Sequence, residues 1–186
     1  LDAWSQAHEV LADSLDLIGE TTRSLWHQEL SWSRLKRSDH EDPDREARLL
    51  LTIGWTAFHE GRFLRSRQAL EQGIARIQHD AALRRILTPQ FLVLLAALAR
   101  HHGDFDEMRQ GAKRLLEWDF GSGDDARARR ILMLSNFGVA LVSEKDFETA
   151  RTIEEHVLAL RTPQDPSWVL DPCYTFLTIY YADTGR

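Results

Sequence analysis

The sequence predicts an all-α protein, a right-handed superhelical α-solenoid of about four and a half helical hairpins. Three features carry that expectation. A short phrase recurs as Gly61-Arg62-Phe63, Gly103-Asp104-Phe105 and Lys145-Asp146-Phe147, with 42 residues from each phenylalanine to the next. Self-similarity at such a period marks stacked supersecondary units rather than one irregular core. Apolar residues also recur at helical spacing on both sides of every phrase. Finally, Asp42-Pro43, Thr88-Pro89 and Asp171-Pro172 each set an oxygen-bearing cap before a proline, which loses nothing at a first helical position where the N–H has no intrahelical partner.

One period before Gly61 the register lands on Gly19, so residues 1–41 read as a divergent repeat with helices from about Asp2 to Ile18 and Thr21 to Lys36. Leu11 and Ala12 fall one period before Ile53 and Gly54, whereas His8 stands where other copies have leucine. The polar stretch Ser38 to Asp44 reads as a surface connection. Residues 42–80 form the next repeat: Leu49, Leu50, Ile53, Ala57 and Phe58 lead up to the turn, and Phe63, Leu70, Ile74 and Ile77 follow it. In 88–118 the same pattern uses Leu92, Leu95, Ala96 and Ala99, then Phe105, Met108, Ala112, Leu115 and Leu116.

The repeat 124–161 starts after Gly121-Ser122-Gly123, its acidic Asp124 and Asp125 suited to the positive end of a helix dipole. Its apolar positions are Leu134, Phe137, Gly138 and Leu141, then Phe147, Ala150, Ile153, Val157 and Leu158. Residues 171–186 read as the first helix of a truncated repeat, making 1–186 a single repeat domain. The segments Asp80 to Thr88, Asp119 to Asp124 and Thr162 to Leu170 are expected as loops.

Composition narrows function. With 43% hydrophobic and 28% charged residues the chain is globular rather than disordered. A net charge of −6 gives no footprint for a phosphate backbone, whose affinity rests on clustered Lys and Arg, so direct nucleic-acid binding is not expected. The single cysteine, Cys173, excludes an internal disulfide and fits a reducing cytoplasm. The longest apolar run, Phe91 to Ala99, falls short of the ~20 residues of a membrane span, and no membrane association is expected. Leu1 is not an initiator methionine, and the opening residues lack the pattern of a secretion signal, so a fragment of a larger protein is expected.

Aligned on the turn, the first helices show Leu50-x-x-Ile53-Gly54-x-x-Ala57, Leu92-x-x-Leu95-Ala96-x-x-Ala99, Leu134-x-x-Phe137-Gly138-x-x-Leu141 and Tyr174-x-x-Leu177-Thr178-x-x-Tyr181. This pattern resembles the tetratricopeptide repeat. The period is longer than that family's usual one of about 34 residues. Met108 and Ser66 stand where Ala150 matches the family's small second-helix residue, and Lys145 replaces the turn glycine. Long, degenerate repeats of this kind look like those of large bacterial cytosolic regulators that join an ATP-binding module to a LuxR-type DNA-binding domain.

The resemblance implies a concave groove lined by first helices. Carried over position by position, its ligand-binding residues are Arg48, Trp55 and Phe58; Gln90 and Arg100; Ser135, Asn136 and Val139; and Thr175 and Ile179. Aromatic, guanidinium and amide groups suit a protein or peptide, or a small effector. The family's carboxylate clamp needs a lysine and paired asparagines, of which only Asn136 has a counterpart.

No catalytic residue, cofactor or metal ligand is predicted. His59, His101 and His102 lie near turns without zinc-ligand spacing, and Asp119-Phe120-Gly121 has none of the kinase motifs that would give it meaning. The chain is not expected to be an enzyme, though the catalytic part of one could lie outside this segment. Self-association is the alternative role. Phe176, Leu177, Ile179 and Tyr180 are expected to lack a covering second helix, and leaving three such side chains wet forfeits roughly 5–9 kcal/mol. That would create a sticky carboxyl-terminal edge for a homo-oligomer.

Overall fold

The computed structural model describes residues 3–37 and 42–185. The described residues contain nine α-helices and no strands. The polar connection expected from Ser38 lies partly outside them. The chain divides into two compact units, Leu1–Leu94 and Leu95–Arg186.

The first unit holds α1 (Ala3–Leu17), α2 (Thr21–Leu35), α3 (Pro43–His59), α4 (Phe63–Ile77) and α5 (Ala81–His101) as far as Leu94. Helix α1 packs on α2, α2 on α3 and α3 on α4. The core between them gathers Leu25, Trp32, Leu35, Leu49, Leu50, Ile53, Ala57 and Ala69. Each large aliphatic side chain fully withdrawn from water there contributes about 1.5–3 kcal/mol. Gly54 lets α4 come close to α3: a Cβ built on it would lie 2.6 Å from a Leu70 methyl carbon. The Ser66 hydroxyl donates to the Gly54 carbonyl across the same contact at 2.7 Å. Gln28 is buried in α2, and its amide donates to Ser24 and to Thr56 of α3 at 3.0 and 3.1 Å.

The second unit holds the rest of α5, then α6 (Phe105–Leu116), α7 (Asp124–Ser143), α8 (Phe147–Leu160) and α9 (Ser167–Thr184). Helix α7 is its centre, packing on α6, α8 and α9. Ile131, Leu134, Phe137 and Leu141 of α7 are buried with Ile153 and Val157 of α8 and Phe176 and Tyr180 of α9.

The repeated phrase folds the same way each time. Gly61 and Gly103 have φ of 72° and 75°, and Lys145 reaches φ 60° although it is not glycine. At each turn two backbone bonds close a Schellman cap, in which the last orphan carbonyls of a helix accept from the residues just beyond it. The Arg62 N–H donates to the Ala57 carbonyl and Gly61 to Phe58; Asp104 donates to Ala99 and Gly103 to Arg100; Asp146 donates to Leu141 and Lys145 to Val142. Gly19, with φ 79°, repeats the pattern through Glu20 to Leu15 and Gly19 to Asp16. Asp104 and Asp146 then cap the following helices, accepting from Glu107 and Thr149 N–H groups.

Two expected helix starts are corrected. Helix α3 does begin at Pro43, with Asp42 accepting from the Arg45 N–H at 3.1 Å. In contrast, α5 begins at Ala81, capped by Asp80, whose carboxylate accepts from the Ala82 and Leu83 N–H groups, and Pro89 sits inside the helix. Helix α9 begins at Ser167 with Pro172 inside. The expected loop from Asp80 to Thr88 is therefore mostly helix. An interior proline costs a helix about 3 kcal/mol, and full burial of Leu87 and Val169 in the added turns offsets that cost. The longer α5 also changes the membrane argument. At 21 residues, with an 18-residue stretch of mean hydropathy 1.5, it is long and apolar enough to cross a bilayer by length and composition, although Phe91 and Leu98 on it are fully buried within the protein.

Candidate binding surface

The residues expected to line a groove are spread over both units, Arg48, Trp55, Phe58 and Gln90 in the first and the others in the second. On α3, Arg48, Thr52, Trp55 and His59 share one helical face by their spacing. Arg48 is exposed and its guanidinium meets Asp44, one turn earlier, at 2.7 Å. Trp55 is 49% exposed and packs edge-on against the His59 ring, centroids 4.7 Å apart. Phe58 is half-buried instead, turned toward Phe63 at 5.7 Å, where it helps close the hairpin corner. Gln90 on α5 is half-buried, its amide 3.4 Å from the Ile86 carbonyl.

In the second unit Arg100 is exposed and bonded to Glu144 at 2.5 Å, joining the carboxyl ends of α5 and α7. Asn136 is exposed and Val139 half-buried on α7. On α9 Thr175 is exposed, its hydroxyl donating to the Asp171 carbonyl at 2.8 Å, while Ile179 is half-buried. Ser135 does not reach the surface; it is fully buried against α9 beside Cys173. The spacing that places it with Asn136 is right for the helix but one residue too far round its face. Cys173 is likewise buried, and burial pushes its thiol up from the usual range, away from the thiolate a nucleophile requires.

Other charged groups hold the helices together. The Glu60 carboxylate, at the end of α3, accepts from the Thr21 and Thr22 hydroxyls of α2, which hold it below its ordinary value. Asp165 is buried in the α8–α9 connection. Burial alone would raise it, but the Thr162 N–H at 2.7 Å and the Arg127 guanidinium at 2.7 Å outweigh that and leave it lowered. No group of three or more metal-ligating side chains occurs among the described residues. His59, His101 and His102 are exposed.

Sequence reasoning missed an aromatic cluster at the amino end. The His8 and His27 rings meet through their Nδ1 atoms at 2.6 Å, with the Trp4 ring tilted against His8, centroids 4.0 Å apart, and Trp26 edge-on to His27 at 4.7 Å. One ring must donate and the other accept. His27 is lowered from its ordinary value by burial, by His8 and by Arg23. The seven-residue spacing of Trp4, Leu11 and Ile18 was the available signal for this region.

The side chains expected at an uncovered carboxyl-terminal edge are also placed otherwise. Phe176, Leu177 and Tyr180 are buried and Ile179 half-buried. The Phe176 ring lies over Gly138 so closely that a Cβ there would be 2.5 Å from it. Because α9 packs on both α7 and α8, it needs no second helix to bury this face.

The fold places the chain among all-α proteins built from consecutive helices. A solved structure, BtubC (BKLC) from P. vanneervenii, is similar over 97% of this chain and 72% of that one, with a TM-score of 0.71 and 18% identity. That likeness is one of fold. No family model and no curated protein matches the sequence.

Proposed function

We propose that the chain is a tetratricopeptide-like, right-handed α-solenoid that binds a protein, a peptide or a small effector through a concave groove lined by its first helices, as a non-catalytic recognition module. The observation that carries the reading is the set of four equivalent corners, at Gly19, Gly61, Gly103 and Lys145, evenly spaced along the chain and each closed by the same pair of backbone bonds. Units that repeat in both length and corner geometry stack by burying each apolar face on the next and present their remaining face in series. A cytoplasmic regulator of the kind the sequence pattern resembles would use such a module as its sensing part.

The α3 residues are the stronger candidates, since Trp55 offers exposed aromatic area and Arg48, two turns earlier on the same face, an exposed guanidinium, both residue types enriched at binding hot spots. Peptides selected from a random library against the intact chain test this. A variant carrying Trp55→Ala and Arg48→Glu, with unchanged helicity, should bind them at least ten-fold more weakly. Equal binding by that variant would remove the α3 patch from the proposal.

A further inference from the structure

Three helix ends meet in the second unit. Helix α6 stops at Leu116, α7 starts after Gly123 and α8 stops at Leu160. Two arginines almost one turn apart on α7 tie these ends together. The Arg130 guanidinium donates to the Leu116 carbonyl at 3.0 Å and Arg127 to the Leu160 carbonyl at 3.1 Å, each satisfying a terminal acceptor that has no partner within its own helix. The stretch Gly121-Ser122-Gly123 turns the chain into α7 with φ of 85° and 93° at its glycines, angles that a side chain resists.

A cavity of about 500 Å³ lies at this junction, within the roughly 300–1,000 Å³ of small-molecule sites. Part of its lining is apolar, with Phe120 buried and Trp118 and Leu160 half-buried. The rest includes both guanidinium groups and the amino end of α7, where no side chain caps the helix at Gly123. The two arginines differ in what they already hold. Arg127 is matched by Asp165 at 2.7 Å and Asp124 at 3.4 Å. Arg130 is half-buried, meets no carboxylate among the described residues, and keeps a buried Nε without a hydrogen-bond partner.

We infer that this cavity binds a small monoanionic carboxylate with a flat aromatic body, its charge on Arg130 and its body against Trp118. A carboxylate would pair with the one guanidinium left uncompensated there, through the short charge-assisted bonds such groups form. The uncapped amino end of α7 adds to the attraction for an anion. Trp118 offers a planar apolar wall on which a ring can stack. Asp119 and Asp124 line the same cavity and are exposed, so a ligand with more than one negative charge is repelled. None of the groove residues lines this cavity, so failure of the groove reading leaves the inference intact.

Isothermal titration calorimetry of the intact chain with indole-3-acetate tests the site, and one equivalent should bind. Indole-3-acetamide, which has the same shape without the charge, should bind about ten-fold more weakly. Inorganic phosphate, dianionic and without an aromatic body, should give no measurable heat. Arg130→Gln should abolish the preference for the acid over the amide. Because Arg130 also holds the end of α6, Trp118→Leu serves as a second variant, and it should weaken acid and amide alike while keeping the preference between them. The groove variant carrying Trp55→Ala and Arg48→Glu should bind indole-3-acetate as the wild type does. Absence of binding by the wild type would overturn the inference, as would equal affinity for acid and amide, a preference that survives in folded Arg130→Gln, affinity unchanged in Trp118→Leu, or loss of binding in the groove variant.

Discussion

Helices α1 and α9 begin their respective hairpin patterns yet bury opposite fractions of their apolar residues. Helix α9 hides Phe176, Leu177 and Tyr180, while α1 leaves Trp4, Leu11, Leu17 and Ile18 in water. Helix α9 is the more apolar of the two, and the helices differ in their neighbours as well. Helix α9 meets a glycine, Gly138, wide enough for an aromatic ring, and packs on two helices. Helix α1 has one long packing partner, α2, plus the Glu9 contact to Arg45 of α3 at 2.7 Å. In a repeat protein, register fixes which residue faces a neighbour, and the neighbour decides whether it becomes core.

The largest effect should come from shortening the ring that α9 inserts. Phe176→Ala should cost about 3–5 kcal/mol by chemical denaturation, whereas Leu17→Ala at the exposed end of α1 should change monomer stability by about 0.5 kcal/mol or less. Equal losses would dissolve the contrast between the two helices.

Next comes the connection that leads into α9. Asp165→Asn should lose about 2–3 kcal/mol, since a hydrogen bond to a charged group goes with it. Asp165 is held below its unfolded value, so the stability it supplies is complete above that value and is lost as pH falls through the folded one. The mutant should therefore show a flatter acid limb in a plot of stability against pH. An unchanged acid limb would mean the pair with Arg127 is not formed.

Smaller effects belong to the corners. Gly61→Ala should destabilise by about 1 kcal/mol, because a side chain resists positive φ, and Lys145→Gly should stabilise by about 0.5–1 kcal/mol for the same reason. If both substitutions proved neutral, the corners would not be under the strain their φ angles imply.

The smallest effect concerns His27 of α2, where it meets His8 of α1. His27 is held below the ordinary histidine value, so the unfolded chain takes up the proton first and stability declines as pH falls below that value. His27→Gln should remove that part of the slope. A thermal-melt series between neutral and mildly acidic pH would show whether it does.

Much of this was legible in the sequence because corners are local. The phrases around Gly61, Gly103 and Lys145 contain both the residue that turns the chain and the carboxylate that caps the next helix in two of the three. Burial was less legible. Pro89 and Pro172 carry strong helix-start chemistry, but Leu87 and Val169 upstream found enough core to extend the helices past it. Ser135 and Asn136 are adjacent, and only packing against α9 decides that one is hidden and the other exposed. The exposure of α1 depends on what lies beside it, and the seven-residue spacing within α1 does not say what that is.

The ring over Gly138 has two counterparts: Phe91 presses on Gly73, and the tip of Phe137 on Gly111. Each pair behaves as a lock and its keyhole, and neither half can be altered independently. Among descendants of a common ancestor, a methyl gained at one of these glycines should arrive with a trimmed partner, so the pairs should be inherited as units. Gly138→Ala combined with Phe176→Leu should accordingly be better tolerated than the sum of the two changes made separately.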